Sequence, residues 1–202
     1  GEAARVVAAT PKLRWVAPSR DEDPHGPLEL AAEPQIVVAG QDTPEPEMLI
    51  TVQGGRQRGL VIHKLLEEVL TGETADDLVA LTARAGDLVR ALGGEPGTDA
   101  GAGLSPDEMA GTVARTLAMP DIAALRPRLI AELPVYGISE EDAVELATFG
   151  VVDALCVGAD GTPELVIDWK SDVSPSAAAS DHYRSQVRRY LDVTGIPEGL
   201  VV

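Results

Sequence analysis

Two apolar runs, Ala147 to Val157 and Glu164 to Lys170, flank the segment Gly158-Ala159-Asp160-Gly161. Val- and Leu-rich runs on either side of a Gly/Asp turn fold as a β-hairpin. The second run, Glu164-Leu165-Val166-Ile167-Asp168-Trp169-Lys170, heads into a core and then ends in an acid and a base. Residues two apart in a strand share a face, so Asp168 and Lys170 point the same way. The hairpin brings Asp153 opposite them. Leu129 to Tyr136 reads as a further strand despite Pro134, which makes the region an antiparallel meander. Two carboxylates and an ammonium at one point suit Mg²⁺ or Mn²⁺, since hard cations take oxygen ligands. A lysine beside them can orient a water and stabilise charge on a phosphate. Asp-x-Lys alone is frequent in hairpins with solvated charges. What distinguishes this one is the Val166-Ile167 lead-in.

Before the meander the pattern is helical. Leu60, Val61, Leu65, Leu66, Val69 and Leu70 recur at helical spacing from Gln57 onward, and Gly72 lies just past the end. A second helix is expected from Ala75 to Leu92. A Gly-rich loop follows from Gly93 to Gly103, and then a helix over 106–118 capped by Ser105 with Pro106 in its first turn. A short helical turn is expected near Asp121, and a helix from His182 to Val193 ends at Gly195 and Pro197. Residues 1–53 carry Pro11, Pro18, Pro24, Pro27, Pro34, Pro44 and Pro46 among acidic residues. They read as an extension or linker, with one short apolar run from Gln35 to Ala39 that can form a strand. Residues 54–202 form the domain. Gly199 to Val202 reads as the start of a strand, so the chain is expected to stop mid-element.

Composition excludes several classes. No stretch approaches the ~18 apolar residues of a membrane span, and no apolar leader opens the chain. The single cysteine, Cys156, excludes an internal disulfide and a four-cysteine metal or iron–sulfur site. A cytoplasmic setting fits these features. The net charge of −17, from 33 acidic and 16 basic residues, argues against tight DNA binding by the domain alone. It does not argue against nuclease chemistry, because carboxylates gathered for a metal add negative charge themselves. A few cations, Arg184, Arg188 and Arg189, share one helix and can form a local track.

Gly150-Val151-Val152-Asp153 followed by Asp168-Trp169-Lys170-Ser171-Asp172 resembles the C-terminal nuclease domain of RecB- and AddA-type helicase–nucleases, in the PD-(D/E)xK superfamily. Three further family motifs match in order. They are Gly59-Leu60-Val61-Ile62-His63 on an early helix, Glu132-Leu133-Pro134 on a strand, and Gln186-Val187-Arg188-Arg189-Tyr190 on a late helix. The i, i+4 spacing puts Gln186 and Tyr190 on one helix face. The match spans Gly59 to Tyr190. The Trp15 to Arg20 segment has a Pro-Ser step like that entering such domains. No phosphate-binding loop of the Gly-x-x-x-x-Gly-Lys type is present, so this chain carries no helicase motor. Gly93 to Gly103 reads as a local insertion.

The resemblance implies an α/β fold with a central mixed β-sheet flanked by helices, a restriction-endonuclease-like core. It implies Asp153, Asp168, His63 and the Trp169 backbone carbonyl as metal ligands, with Glu132 completing the acidic cluster. Lys170 positions the attacking hydroxide, and Gln186 and Tyr190 orient Lys170 or touch the DNA backbone. Asp172 reads as a bystander. The implied cofactor is Mg²⁺, with Mn²⁺ as substitute because imidazole suits it better. The implied activity is a deoxyribonuclease, exonuclease rather than endonuclease, working in DNA repair or recombination with a helicase motor on the same polypeptide or in a complex. Two other readings stay open: a nuclease-like module that grips DNA without cutting, and an acidic scaffold with scattered carboxylates.

Overall fold

The computed structural model describes residues 12–16, 35–38, 55–141, 144–172 and 177–202. Its class is the expected one, α/β with a mixed sheet flanked by helices. Helix α1 (Gly55–Thr71) buries Val61, Ile62, Leu65, Leu66 and Val69 on one face. That is the stripe the three- and four-residue spacing lays out. Helix α2 (Leu78–Ala91) starts later than Ala75, where Asp77 Oδ1 accepts the Ala80 N–H at 2.9 Å. Such a cap contributes ~1 kcal/mol. Helix α3 (Pro106–Ala118) is capped as its sequence indicates, with Ser105 Oγ accepting the Glu108 N–H at 3.4 Å. A short α4 (Pro120–Leu125) follows. Leu65, Leu81, Val89, Met109, Val113 and Ile122 close one core between these helices. Each such side chain contributes ~1.5–3 kcal/mol relative to exposure.

Strands β3 (Leu129–Glu141), β4 (Val144–Val157) and β5 (Pro163–Asp168) form the antiparallel meander. The first two extend beyond the expected bounds at Tyr136 and Ala147, because each supplies the other's backbone partners along its whole length. Pro134 is tolerated because β3 is an edge strand. In the turn, Gly161 takes φ +82°, which a glycine reaches without strain. Strand β5 stops at Asp168, short of the expected Lys170. The chain then stays tied down: Val202 N–H donates to the Asp168 carbonyl at 3.0 Å, and Lys170 N–H to the Val202 carbonyl at 2.7 Å. Helix α5 (Ala177–Thr194) crosses back so that β6 (Glu198–Val201) lies parallel to β5.

The N-terminal region contributes β1 (Lys12–Val16), parallel to β4, and β2 (Gln35–Val38), parallel to β6. The second is the expected apolar run; the first, a short polar/apolar alternation, was not anticipated. The seven prolines of this region and the Pro18-Ser19 step lie outside the described residues.

Pairing along β4 creates a fork. Val144–Thr148 pairs with both β1 and β3, whereas residues 154–157 pair with both β5 and β3. A strand has two edges, so β1 and β5 share one edge of β4. Between them Phe149–Asp153 has no strand partner on that edge among the described residues. Helix α5 packs over this stretch, and the Tyr190 hydroxyl donates to the Val151 carbonyl at 3.0 Å. The approach requires Gly150: a Cβ there would lie 2.6 Å from Tyr190 Cε1. Gly150→Val is therefore expected to destabilise the chain by ~1–3 kcal/mol, the usual cost of overpacking. A thermal melt followed by circular dichroism checks this. An unchanged midpoint would mean that α5 is not seated against Gly150.

Candidate active site

Asp153 sits at the end of the fork where β5 joins. Its Oδ2 accepts the Trp169 N–H at 2.7 Å, which pins the chain just beyond β5. Its Oδ1 lies 3.5 Å from His63 Nδ1, delivered by α1. Burial disfavours the charged imidazole, but the hydrogen bond and charge of Asp153, joined by the charge of Asp168, outweigh it. The His63 pKa is raised above 6.5 as a result.

Asp168 is buried, 4% exposed. Its pKa is pushed up to about 6, first by burial and then by the Asp153 charge, against the lowering pull of Lys170 and His63. The Lys170 ammonium lies 2.7 Å from Asp168 Oδ2. The two charges form a buried ion pair. Lys170 Nζ also donates to Gln186 Oε1 at 2.9 Å and stands 4.8 Å from the centre of the Tyr183 ring. The Tyr183 hydroxyl donates to the Asp172 carboxylate. Asp172, read from the sequence as a bystander, thus anchors the ring that faces Lys170.

Glu132 lies on β3 between the pairs Ala131↔Ala154 and Leu133↔Val152, opposite Asp153. Its φ of +51° is in the left-handed region, unusual for a residue with a side chain. Burial, then repulsion from Asp153 and Glu67, raises its pKa, with His63 and Lys64 acting the other way. The site therefore brings together Asp153, Asp168, His63, Lys170 and Gln186, with Glu132 facing Asp153. Tyr190, expected to orient Lys170 or touch DNA, is instead buried at 1% exposure beneath the sheet, where it serves Val151. The Trp169 ring is buried in the helical core, so its carbonyl is held between Asp168 and Lys170.

Two features escaped the sequence reading. Glu67 lies one helical turn beyond His63 and adds a further carboxylate near Glu132; its i, i+4 spacing from His63 was the available signal. The other is a clamp. Arg58 makes paired bonds to Glu108 at 2.6 and 3.0 Å and also donates to the Ser171 carbonyl. Gly59 permits that closure, since a Cβ there would lie 2.9 Å from Ser171 Oγ. Arg58 and Gly59 together hold the segment after Lys170 against α1, one turn before His63.

No family model matches the chain, and no curated protein matches it. Among solved structures it is similar to the crystal structure of SSO0001, at 18% identity over 71% of this chain and 70% of that chain, with a TM-score of 0.33. That likeness carries no functional weight, and the chemistry rests on the site itself. Among the described residues, no three His, Cys, Asp or Glu side chains already converge on one point as a metal would require. The donor set nonetheless fits a divalent cation in kind. Two carboxylates and an imidazole lie in one neighbourhood, with His63 Nδ1 3.5 Å from Asp153 Oδ1, and burial together with the Asp153 charge raises the Asp168 pKa to about 6.

Proposed function

We propose that this chain is a metal-dependent DNA nuclease domain of the PD-(D/E)xK type, hydrolysing phosphodiester bonds. The observation that carries the reading is the buried Asp168 carboxylate, held by the Lys170 ammonium 2.7 Å from its Oδ2 and facing the charges of Asp153 and His63. A buried carboxylate whose pKa is pushed up to about 6 by burial and a neighbouring carboxylate, beside a lysine and a histidine, marks a candidate functional site. Asp153, Asp168 and His63 would hold the cation, Mg²⁺ or Mn²⁺, with Glu132 and the Trp169 carbonyl alongside. The bound ion supplies Lewis-acid polarisation of the phosphate and a more acidic water. Lys170 places its ammonium where an attacking water or a phosphate oxygen comes to rest, and Gln186 and the Tyr183 ring hold it there. His63 is fixed by Asp153. The tie from Trp169 N–H to Asp153 keeps the two carboxylates in register.

The resemblance in the motifs supports an exonuclease of repair or recombination, cytoplasmic, fed by a helicase motor. The excess of acidic residues supports delivery of the substrate rather than independent capture. Arg184, one of the three arginines of the proposed track, is already paired with Asp181 at 3.1 Å. The absence of a preassembled three-ligand cluster among the described residues favours a second reading, a module that grips DNA without cutting.

Calorimetry with Mn²⁺, paired with a cleavage assay in Mg²⁺, Mn²⁺ or Ca²⁺, separates the two. The nuclease reading expects metal binding, cutting in Mg²⁺ and Mn²⁺, and occupancy without turnover in Ca²⁺, whose looser coordination positions a water poorly. DNA binding with neither metal affinity nor cleavage sinks it in favour of the second.

A further inference from the structure

A second feature begins where the carboxylates end. Glu132 faces Asp153 across β3 and β4; four residues further on, Tyr136 pairs with Phe149. Their rings are 4.9 Å apart and tilted by 34°. Ile138 pairs with Ala147 on the same strands, and Trp15 of β1 pairs with Ala147 from the other edge. Paired residues share a face of the sheet, so Trp15, Tyr136, Ile138 and Phe149 lie on one side. That side is turned away from α5, because the alternate positions Gly137 and Gly150 are the ones pressed against Val193 and Tyr190. These side chains are exposed by 72% for Trp15, 70% for Tyr136, 77% for Ile138 and 41% for Phe149. Half of the Trp, Tyr and Phe residues of an aromatic-poor chain therefore stand in water on a single patch.

We propose that this patch is a stacking platform for the bases of a single DNA strand whose backbone runs on to the carboxylates at Asp153; the proposal extends the nuclease reading. Three observations select this occupant. The platform is continuous with the site: Tyr136 lies four positions after Glu132 on β3, and on the antiparallel β4 Phe149 lies four positions before Asp153. Four residues of strand span ~13 Å, which is about four nucleotides of a stacked strand at ~3.4 Å each. The faces on offer are rings, and base–aromatic stacking tolerates any sequence because every base has a π-face. The chain is also acidic, with 33 acidic residues against 16 basic ones, so phosphate contacts cannot supply most of a grip. Stacking is the favourable term that this charge leaves intact.

The test is binding to the whole chain in EDTA, where no metal contributes. Fluorescence anisotropy compares a labelled 12-nucleotide oligo-dT with an abasic phosphodiester of the same length. Oligo-dT is expected to bind at least ~5-fold more tightly and to quench the exposed Trp15, since each stacked base is worth about that factor or more. Tyr136→Leu and Phe149→Leu keep the patch apolar and spare the fold; each is expected to weaken oligo-dT binding ~5-fold or more and leave the abasic strand unaffected. Equal binding of the two strands overturns the platform. So do leucine variants that bind like the wild type, the result expected if the patch serves a protein partner instead. Preferential oligo-dT binding without metal-dependent cleavage would keep the platform and remove the nuclease reading. Cleavage without that preference would do the reverse.

Discussion

Asp168→Asn is expected to remove cleavage while leaving a folded chain whose stability declines less than the wild type's between pH ~4 and ~6. The first half follows from geometry. The variant keeps the shape of the side chain but replaces the buried carboxylate that faces Lys170 with a neutral group. Loss of a single charge-stabilising group in an active site costs ~10²–10³-fold in rate, and a lost metal ligand costs at least that. The second half follows from linkage. Asp168 has its pKa raised from 3.8 to about 6 by burial and by the nearby Asp153 charge. The folded state therefore holds this proton more tightly than the unfolded chain does. The resulting stabilisation is complete below pH ~4 and is lost as pH rises through about 6. At ~1.4 kcal/mol per pKa unit the loss is on the order of 3 kcal/mol. The raised pKa of His63 removes stability in the same sense above pH 6.5, and that of Glu132 does so above 4.5, so Asp168 accounts for a part of the fall that the Asn variant isolates.

Thermal melts of the metal-free wild type at pH 4.5, 6 and 8 should show the fall, and the Asn variant should show less of it. Adding Mn²⁺ at pH 8 should restore the wild type, because binding to the folded state alone adds ~2.7 kcal/mol at a hundredfold excess over Kd. The variant should gain little. A folded Asn variant that cuts DNA like the wild type would end the assignment of Asp168. A flat pH profile in the wild type would show that the buried carboxylate is already compensated.

Much of the site was legible because its residues lie in local patterns. Apolar runs ending in charge placed Asp153, Asp168 and Lys170 on a hairpin, and helical spacing placed His63 and Gln186 on their helices. What could not be read depends on contacts distant in the chain. Strand β1, Lys12–Val16, alternates polar and apolar residues over only five positions in a Pro-rich region and takes its partners from the distant Val144–Thr148. The fork in β4 exists only because β1 and β5 share one edge, a fact of three-dimensional pairing. The role of Tyr190 follows from that fork. Its i, i+4 partnership with Gln186 was correct as helix geometry, yet α5 rests against Gly150 and turns the phenol to Val151 while Gln186 reaches Lys170. The Arg58–Glu108 clamp joins residues of two different helices and was equally invisible.

Lys170→Ala is expected to lower cleavage by ~10²–10⁴-fold, the range for removal of a proton-handling group, while metal binding survives at pH 8. The ammonium is held by three contacts: 2.7 Å from Asp168 Oδ2, 2.9 Å from Gln186 Oε1, and 4.8 Å from the centre of the Tyr183 ring. None of these is needed to close the core, so alanine leaves the fold standing. Two effects on the metal oppose each other. Removing a cation ends its repulsion of a divalent ion, which favours binding. Removing it also ends the lowering pull on Asp168, whose pKa then rises further above its present value of about 6, so that the metal must displace a proton at neutral pH. The choice of pH 8 lets the carboxylate ionise and isolates the first effect. Calorimetry with Mn²⁺ across pH 6.5 to 8.5 reads both: affinity near the wild-type value at pH 8, and a steeper fall than the wild type toward pH 6.5. A variant that fails to bind Mn²⁺ even at pH 8 would mean that Lys170 builds the metal site. One that binds and cuts normally would mean that the ammonium only neutralises Asp168 in the metal-free protein.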